Sequence, residues 1–261
     1  MASRTNFHRD RSTFTLTFGD QAENHVGMEQ LGTMVVKGQG FQPEELAKIE
    51  ARFAKSGFET EYYDLGEDAH LLILKGGIEA LLAEDESVSI FTSEDVFNEQ
   101  AALEVDKQAY MYGRVVQKHA RWNLCFDDVG HDPDYEHGKG RVIPWGEIPI
   151  TALLHRAIPK VFGKKAENLK CEANYYYDIE KCGIGFHGDS ERRKVIGVRL
   201  GASLPLHFQW YLQGDPIGER MIFNLDDGDV YIMSEKTVGT DWRMKTIKTL
   251  RHAAGCKKYT Q

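Results

Sequence analysis

The stretch IGFHGDSERRKVIGVRLG, from Ile184 to Gly201, indicates the fold. Its second half, VIGVRLG, alternates in the way of a β-strand. Its first half places His187 and Asp189 two residues apart, just before that strand. Alternate residues near a strand end point the same way, so both side chains can reach one ion. The stretch therefore predicts a metal site at the end of a β-strand.

A third ligand has to come from a strand that is distant in the sequence. Two histidines and one carboxylate bind Fe(II) on one side of its octahedron and leave the other positions for a co-substrate and dioxygen. After Asp189 the sequence contains His207 and His252. His207 follows too soon for the chain to cross a sheet and return, whereas His252 leaves room for several strands. We therefore predict that His187, Asp189 and His252 bind the metal.

The bulk composition limits the functions that the chain can have. A formal net charge of −8 argues against binding nucleic acid over the whole surface but allows a local basic groove. The four cysteines form no CxxC pair, and no signal peptide or long apolar run is visible. We expect a soluble intracellular protein of the cytoplasm or nucleus, with no membrane association and no obligate protein partner.

The texture of the sequence changes near residue 105. Before it, strand-like STFTLTF and HLLILKGG flank the helix-like QPEELAKIEARFAKSG. After it, short β-type segments follow one another, interrupted by one helix in PITALLHRAIPKVFG. We predict an α+β fold. Residues 1–105 form an N-terminal α/β extension of unknown role, and residues 106–261 form a double-stranded β-helix, or jelly roll, with supporting helices.

The order of the motifs resembles that of the 2-oxoglutarate- and Fe(II)-dependent dioxygenases, and most closely the AlkB-type branch. That branch shows an Asn-x-Tyr strand, then H-x-D with an acidic residue, a strand that ends in Leu-Gly, a Gly-Asp turn and a late histidine. The sequence offers Asn174 and Tyr176 in EANYYYD, HGDSE with Glu191, VIGVRLG, DDGDVYIMS and His252. The resemblance implies Fe(II), 2-oxoglutarate and O2 as cofactor and co-substrates.

The resemblance also implies residues that bind 2-oxoglutarate. Asn174 and Tyr176 match positions that hydrogen-bond the co-substrate. The distal carboxylate needs a cation, because an unpaired buried charge is costly. The family usually provides an arginine after the distal histidine, but only AAGCKKYTQ follows His252. Arg199 should point inward from its strand, so we predict Arg199 as the first candidate and Lys258 as the second. The alternative is that Arg199 pairs with a nearby acid such as Glu191.

The resemblance favours a modified base in DNA or RNA as the substrate, hydroxylated or demethylated after it flips out of its stack. We expect nucleic acid as the partner. The segment MYGRVVQKHARWNLCF is similar to the family's substrate lid, so the predicted substrate-binding residues are Arg114, Lys118, Arg121 and Trp122, together with Glu191. Two alternatives stay open: a dioxygenase that acts on a protein side chain or small molecule, and a jelly-roll binding domain without turnover.

Overall fold

The computed structural model describes residues 6–83 and 91–261. Within them the strands are β1 (Thr13–Gly19), β2 (Gln21–Glu23), β3 (Gln30–Gly32), β4 (Thr60–Asp64), β5 (His70–Leu74), β6 (Gln108–Met111), β7 (Arg114–Gln117), β8 (Trp122–Asp127), β9 (Val142–Pro144), β10 (Lys170–Tyr176), β11 (Gly183–His187), β12 (Val195–Gly201), β13 (Leu206–Leu212), β14 (Asp215–Phe223), β15 (Val230–Met233) and β16 (Thr249–Gly255). The α-helices are α1 (Pro43–Lys55), α2 (Gly77–Ala83), α3 (Ser93–Ala101), α4 (Pro149–Phe162), α5 (Glu235–Val238) and α6 (Lys257–Thr260). Short 3-10 turns lie at Tyr135–His137, Trp145–Glu147 and Lys164–Ala166.

Helices α1 and α4 lie where the sequence predicts helices. In α1 the residues at both ends show why the helix begins and ends there. Pro43 begins α1, where its missing N–H costs nothing, and Glu45 accepts a hydrogen bond from the Gln42 backbone N–H. Gly57 follows α1 with a positive φ of 83°, which a glycine adopts freely. Both helices pack with apolar side chains against the sheet.

The fold is a mixed α and β structure with a large sheet. Among the described residues this sheet has eight strands, in the order β4-β5-β15-β12-β1-β10-β8-β9. A second sheet has the order β11-β16-β13-β14. Two hairpin-like pairs, β2 with β3 and β6 with β7, lie outside both sheets.

The large sheet lies between helices on one face and the smaller sheet on the other. The alternation in β12 sets this division: Ile196, Val198 and Leu200 pack in the core that contains the helices, as the sequence predicts. Val195 packs instead with Phe208 and Leu250 of the smaller sheet. Burial of each such side chain contributes roughly 1.5–3 kcal/mol. The two sheets therefore form a layered pair that encloses the space between them.

Strand β1 occupies an interior position in the large sheet. All seven of its residues are buried, and it runs antiparallel to β10 on one side and to β12 on the other. Strands β4 and β5 lie in the same sheet, next to β15. Strands from both sides of the predicted boundary at residue 105 thus belong to one sheet. The large sheet is therefore not divided at this boundary.

No helix within residues 6–83 and 91–261 has both the length and the apolar character needed to cross a membrane.

Candidate metal centre

The three predicted metal ligands lie together between the two sheets. His187 is the last residue of β11, and it stands opposite His252 of β16 in the register of these neighbouring strands. Asp189 follows two residues later, and its backbone N–H donates to the Val238 carbonyl. The sheet pairing and this backbone contact bring together side chains that are far apart in the sequence.

The ligand atoms have separations that suit one metal ion. Asp189 Oδ1 lies 3.6 Å from His187 Nε2 and 3.5 Å from His252 Nε2. One ligand atom from each residue lies within 4.8 Å of the others. Metal–ligand bonds of about 2.1 Å place neighbouring ligand atoms roughly 3 Å apart, which is close to these distances. Two imidazoles and one carboxylate can hold a metal ion, and facial triads that bind Fe(II) in other proteins have the same donor set.

The protonation states also suit a metal. Burial, together with the nearby His252, lowers the pKa of His187 to about 3, so its ring is neutral at neutral pH. His187 Nδ1 lies 2.8 Å from the Gly185 carbonyl oxygen, and a proton donated there leaves the Nε2 lone pair facing Asp189. Burial opposes ionisation of Asp189, but the charge of Arg192 and contact with His252 bring its pKa below the usual range. The site thus offers the Nε2 electron pair of a neutral His187 and the negative charge of Asp189.

Gly188 lets the loop between the ligands approach a second loop closely. A Cβ atom on Gly188 would lie 2.0 Å from the Gly239 carbonyl oxygen, which no side chain tolerates. Gly239 itself has a positive φ of 76°, and a Cβ atom on it would lie 2.5 Å from the Leu250 carbonyl oxygen. The spacing of His187 and Asp189 therefore depends on two glycines that pack against each other.

A cavity of about 590 Å³ extends from the metal centre. One wall is a cross-strand row in which Asn174 of β10, Thr15 of β1 and Arg199 of β12 are neighbours. Tyr176 and Tyr231 also line this wall. The alternation of the strands turns these polar side chains toward the cavity, whereas Tyr175 faces the helices.

Arg199 is buried in this wall and pairs with no acidic side chain of residues 6–83 and 91–261. Its side chain is 1% exposed, and its Nε and Nη1 atoms have no hydrogen-bond partner within the part of the chain that the structure describes. The hydroxyl of its cross-strand neighbour Thr15 is also buried and unpaired within the same residues. Glu191 pairs with Arg192 instead, so the alternative of an Arg199–Glu191 pair is wrong. Buried charges are normally paired, and an anionic ligand would complete this site.

Carboxylates lie at one end of this polar wall, where Glu172 of β10 stands two residues before Asn174. Arg192, 3% exposed, pairs with Glu172 at 2.5 Å and Glu191 at 2.7 Å and lies 3.6 Å from Asp189. Glu23 of β2 also lines the cavity, and burial raises its pKa to about 7, helped by Glu191 and Glu172. The Arg192 guanidinium thus links a metal ligand to the acidic part of the wall.

The remaining predicted site residues are distributed differently. Arg121 and Glu191 line the cavity, and Arg121 Nε donates to Asn174 Oδ1. Lys118 and Trp122 do not line it. Lys118 donates to Asn24 Oδ1 at 2.7 Å, and burial lowers its pKa to about 8. Trp122 stacks on Tyr177 with ring centroids 4.2 Å apart and packs against the helix-side core.

Arg114 and Lys258 also lie away from the cavity. Arg114 is exposed and begins the second strand of the β6–β7 hairpin. Lys258 is exposed on α6, where its Nζ atom lies 5.3 Å from the Tyr259 ring. The second candidate for the co-substrate cation is therefore outside the cavity, and the first candidate, Arg199, is inside it.

Sequence reasoning missed Thr15 and Glu23, which line the cavity from the region assigned to the extension. Thr15 lies in STFTLTF, where threonines at 13, 15 and 17 alternate with apolar residues. That alternation signals a strand with one polar face, but nothing local shows which strands it joins. Trp242, in the segment between α5 and β16, also lines the cavity.

A comparison with models of known protein families gave no match. The chain is 47% identical over 253 residues to uncharacterized protein R156 of Acanthamoeba polyphaga mimivirus. The alignment covers 96% of this chain and 98% of the viral protein, so the likeness extends over nearly the whole of both. The chain therefore belongs to the same family as this mimivirus protein.

Proposed function

We propose that the protein is an Fe(II)- and 2-oxoglutarate-dependent dioxygenase, similar to the AlkB-type branch, that hydroxylates a C–H bond of a modified base in DNA or RNA. One observation carries the proposal. A cluster of His187, Asp189 and His252 shares a cavity with Arg199, a buried cation whose Nε and Nη1 atoms have no hydrogen-bond partner among the described residues. A 2-oxo acid with a distal carboxylate needs both features at once.

The strand order supports a jelly roll as the fold of this enzyme. From β10 to β16 the chain alternates between the sheets, with β10, β12 and β15 in the large sheet and β11, β13, β14 and β16 in the smaller one. Such alternation is the pattern of a double-stranded β-helix. We infer that β1, between β10 and β12, takes the eighth position, so that the N-terminal segment completes the barrel.

The wall of β10, β1 and β12 is suited to hold the co-substrate. The Arg199 guanidinium would pair with the distal carboxylate, and the free Thr15 hydroxyl would donate a hydrogen bond to it. Asn174 and Tyr176 lie on the same wall and provide polar contacts. Lys258 is outside the cavity, so Arg199 is the cation that we assign to 2-oxoglutarate.

The protein's own residues hold and orient the reactants. His187, Asp189 and His252 would bind the Fe(II), and the deep position of Arg199 would keep the oxo acid in one orientation and exclude water from its far end. Fe(II) and 2-oxoglutarate, when bound, supply the activation of O2 that oxidises a C–H bond. A hydroxylated N-methyl group then leaves as formaldehyde, which restores the unmodified base.

The residues at the cavity mouth are suited to a flat, hydrogen-bonding substrate. The Trp242 indole offers an aromatic face there, while Arg121 and Glu191 offer a donor and an acceptor. A substrate with a basic side chain is the alternative that one observation favours, because Glu23 and Glu172 give part of the wall an acidic character. That alternative is hydroxylation of a protein side chain or small molecule.

The decisive experiment measures succinate formed from 2-oxoglutarate with Fe(II), O2 and methylated oligonucleotides, and follows the products by mass spectrometry. We expect succinate and demethylated or hydroxylated bases. Succinate that rises with peptides or amines but not with oligonucleotides would favour the alternative substrate. Absence of both metal binding and succinate would mean a jelly-roll binding domain without turnover and would overturn the proposal.

A further inference from the structure

Arginine guanidinium groups and aromatic rings form a continuous row on the outer side of the smaller sheet. Arg220 Cζ lies 4.9 Å from the centroid of the Phe186 ring. The centroids of the Phe186 and Tyr211 rings are 6.1 Å apart. Arg251 Cζ lies 3.9 Å from the Tyr211 centroid and 5.3 Å from that of Trp242. Arg243 Cζ lies 5.1 Å from the Trp242 ring and ends the row. We call these six residues the arginine–aromatic row.

The row leads to the mouth of the cavity. Trp242 and Arg243 line the cavity, and Trp242 Nε1 donates a hydrogen bond to Ser190 Oγ, next to the metal ligand Asp189. Phe186 directly precedes His187 in the chain. The row therefore begins on the sheet surface and ends within a few residues of the metal centre.

Several cations in and beside the row pair with no carboxylate in the part of the chain that the structure describes. Arg243, Lys245 and Arg251 form no salt bridge within residues 6–83 and 91–261, in contrast to Lys248, which pairs with Glu67. Arg243 and Lys245 are exposed. From Gly239 to Gln261 the sequence has six lysines and arginines and one acidic residue, in a chain of net charge −8. This surface is thus a local positive region on an acidic protein.

We propose that the arginine–aromatic row is the docking surface for a single-stranded nucleic acid, whose backbone it holds while one base enters the cavity. The inference rests on the proposed function, which supplies the base. Guanidinium groups pair with phosphates, and partly exposed aromatic rings, as the three of the row are, stack on unpaired bases without regard to sequence. A duplex hides its base faces, so the rings favour a single strand. The row replaces the predicted contacts of Lys118 and Trp122, whose side chains are engaged elsewhere.

The test is the affinity of the metal-free full-length protein for a fluorescent single-stranded oligonucleotide, measured by anisotropy at several salt concentrations. Arg243→Gln with Lys245→Gln should lower the affinity about tenfold and reduce the slope of log affinity against log salt by about 1.4, since each charge on a single strand contributes about 0.7. Trp242→Ala should lower the affinity about tenfold and leave the slope unchanged, because stacking releases no counterions. If the row had only a structural role, the variants would lower the melting temperature. The charge variants and Trp242→Ala would then not differ in their effects on affinity and on salt slope.

A matched control removes two charges from the opposite side of the molecule. Lys48 and Lys55 are exposed on α1, which packs on the other face of the large sheet. Lys48→Gln with Lys55→Gln should leave affinity and salt slope unchanged. Equal losses in the two double variants would mean unspecific attraction and would overturn the inference, as would binding to phosphatidylserine vesicles but not to the oligonucleotide.

The outcome is distinguishable from the failure of the proposed function. Binding by the row needs neither Fe(II) nor 2-oxoglutarate, so oligonucleotide affinity that depends on Arg243 without any succinate would support the row and contradict the dioxygenase. Succinate formation, together with oligonucleotide binding that is unchanged in the Arg243 and Trp242 variants, would support the dioxygenase and contradict the role of the row.

Discussion

His187 and His252 stand directly opposite each other on the antiparallel strands β11 and β16, with their ring centroids 4.4 Å apart, although they are 65 residues apart in the sequence. A sheet register, which resists small shifts because every side chain would change face, fixes two of the three candidate ligands. The third, Asp189, is held by a backbone hydrogen bond to Val238. Contacts within the chain itself therefore hold the three candidate ligands in place, and such preorganisation favours tight binding.

Removal of a ligand should abolish metal binding with the fold intact. We expect His187→Ala, Asp189→Ala or His252→Ala to weaken Mn(II) or Fe(II) binding by about 100-fold or more, since loss of outer contacts alone costs up to about that. Calorimetric titration measures it. His207→Ala is the matched control, because His207 pairs with Ala253 in the sheet and does not line the cavity. Wild-type metal affinity in the Asp189 variant would contradict the site.

Gly188→Ala should weaken metal binding through the backbone alone. Its Cβ would meet the Gly239 carbonyl oxygen, so the loop that carries Asp189 has to shift. Gly185→Ala is the control in the same segment, because a Cβ there has no atom nearer than 3.8 Å. We expect at least about a tenfold loss of metal affinity in the first variant and little change in the second. The same affinity in both variants would refute the role of the glycine contact.

The candidate metal ligands and the inward direction of Arg199 were accessible from the sequence, because both depend on local rules. The period of two in VIGVRLG fixes which side chains share a face. His187 and Asp189 are two residues apart near a strand end, so their side chains can point the same way. The long gap before His252 allows the intervening strands to return. The helix α1 was likewise predictable, since Pro43 and Gly57 mark its ends.

The position of β1 was not accessible in the same way. Strand pairing between residues far apart is set by tertiary packing, and STFTLTF would fit any central strand with one polar face. Thr15 becomes a cavity residue only because β1 lies between β10 and β12. The neighbours of Lys118 and Trp122, which are Asn24 and Tyr177, were not accessible either, because charge and aromaticity do not reveal which residues a side chain contacts.

Arg199→Met should abolish the response to 2-oxoglutarate. With Mn(II) present, 2-oxoglutarate should raise the melting temperature of the wild type by pairing with Arg199, and this rise should vanish in the variant. Without ligand the variant should be as stable as the wild type or more so, because an unpaired buried charge is removed. Lys258→Met is the control and should keep the full shift. A lost shift in Lys258→Met alone would move the anchor to α6.

A chain that begins at Gln21 should fail to fold. Without β1, the edges of β10 and β12 lose their hydrogen-bond partners in the middle of the large sheet, and Phe14, Leu16 and Phe18 leave the core. Three such side chains together contribute several kcal/mol, comparable to the stability of a whole domain. Circular dichroism during heating measures the outcome. A cooperative transition near the wild-type temperature would show that β1 is dispensable.

Glu23→Gln should change how stability depends on pH. Burial raises the pKa of Glu23 from 4.5 to about 7. Between pH 4.5 and 7 the Glu23 carboxyl is therefore protonated in the native state and ionised in the unfolded state. Wild-type stability should therefore fall as pH rises from about 5 to 7.5, and the penalty persists above that. In the variant, Gln30 and the Gly27 N–H can still donate to the side-chain oxygen of the introduced amide, which has no charge to bury. Chemical denaturation should show equal stability at pH 5 and a variant more stable by roughly 1 kcal/mol at pH 8, after allowance for screening by water in the open cavity. A difference that is the same at both pH values would mean that Glu23 does not titrate in this range.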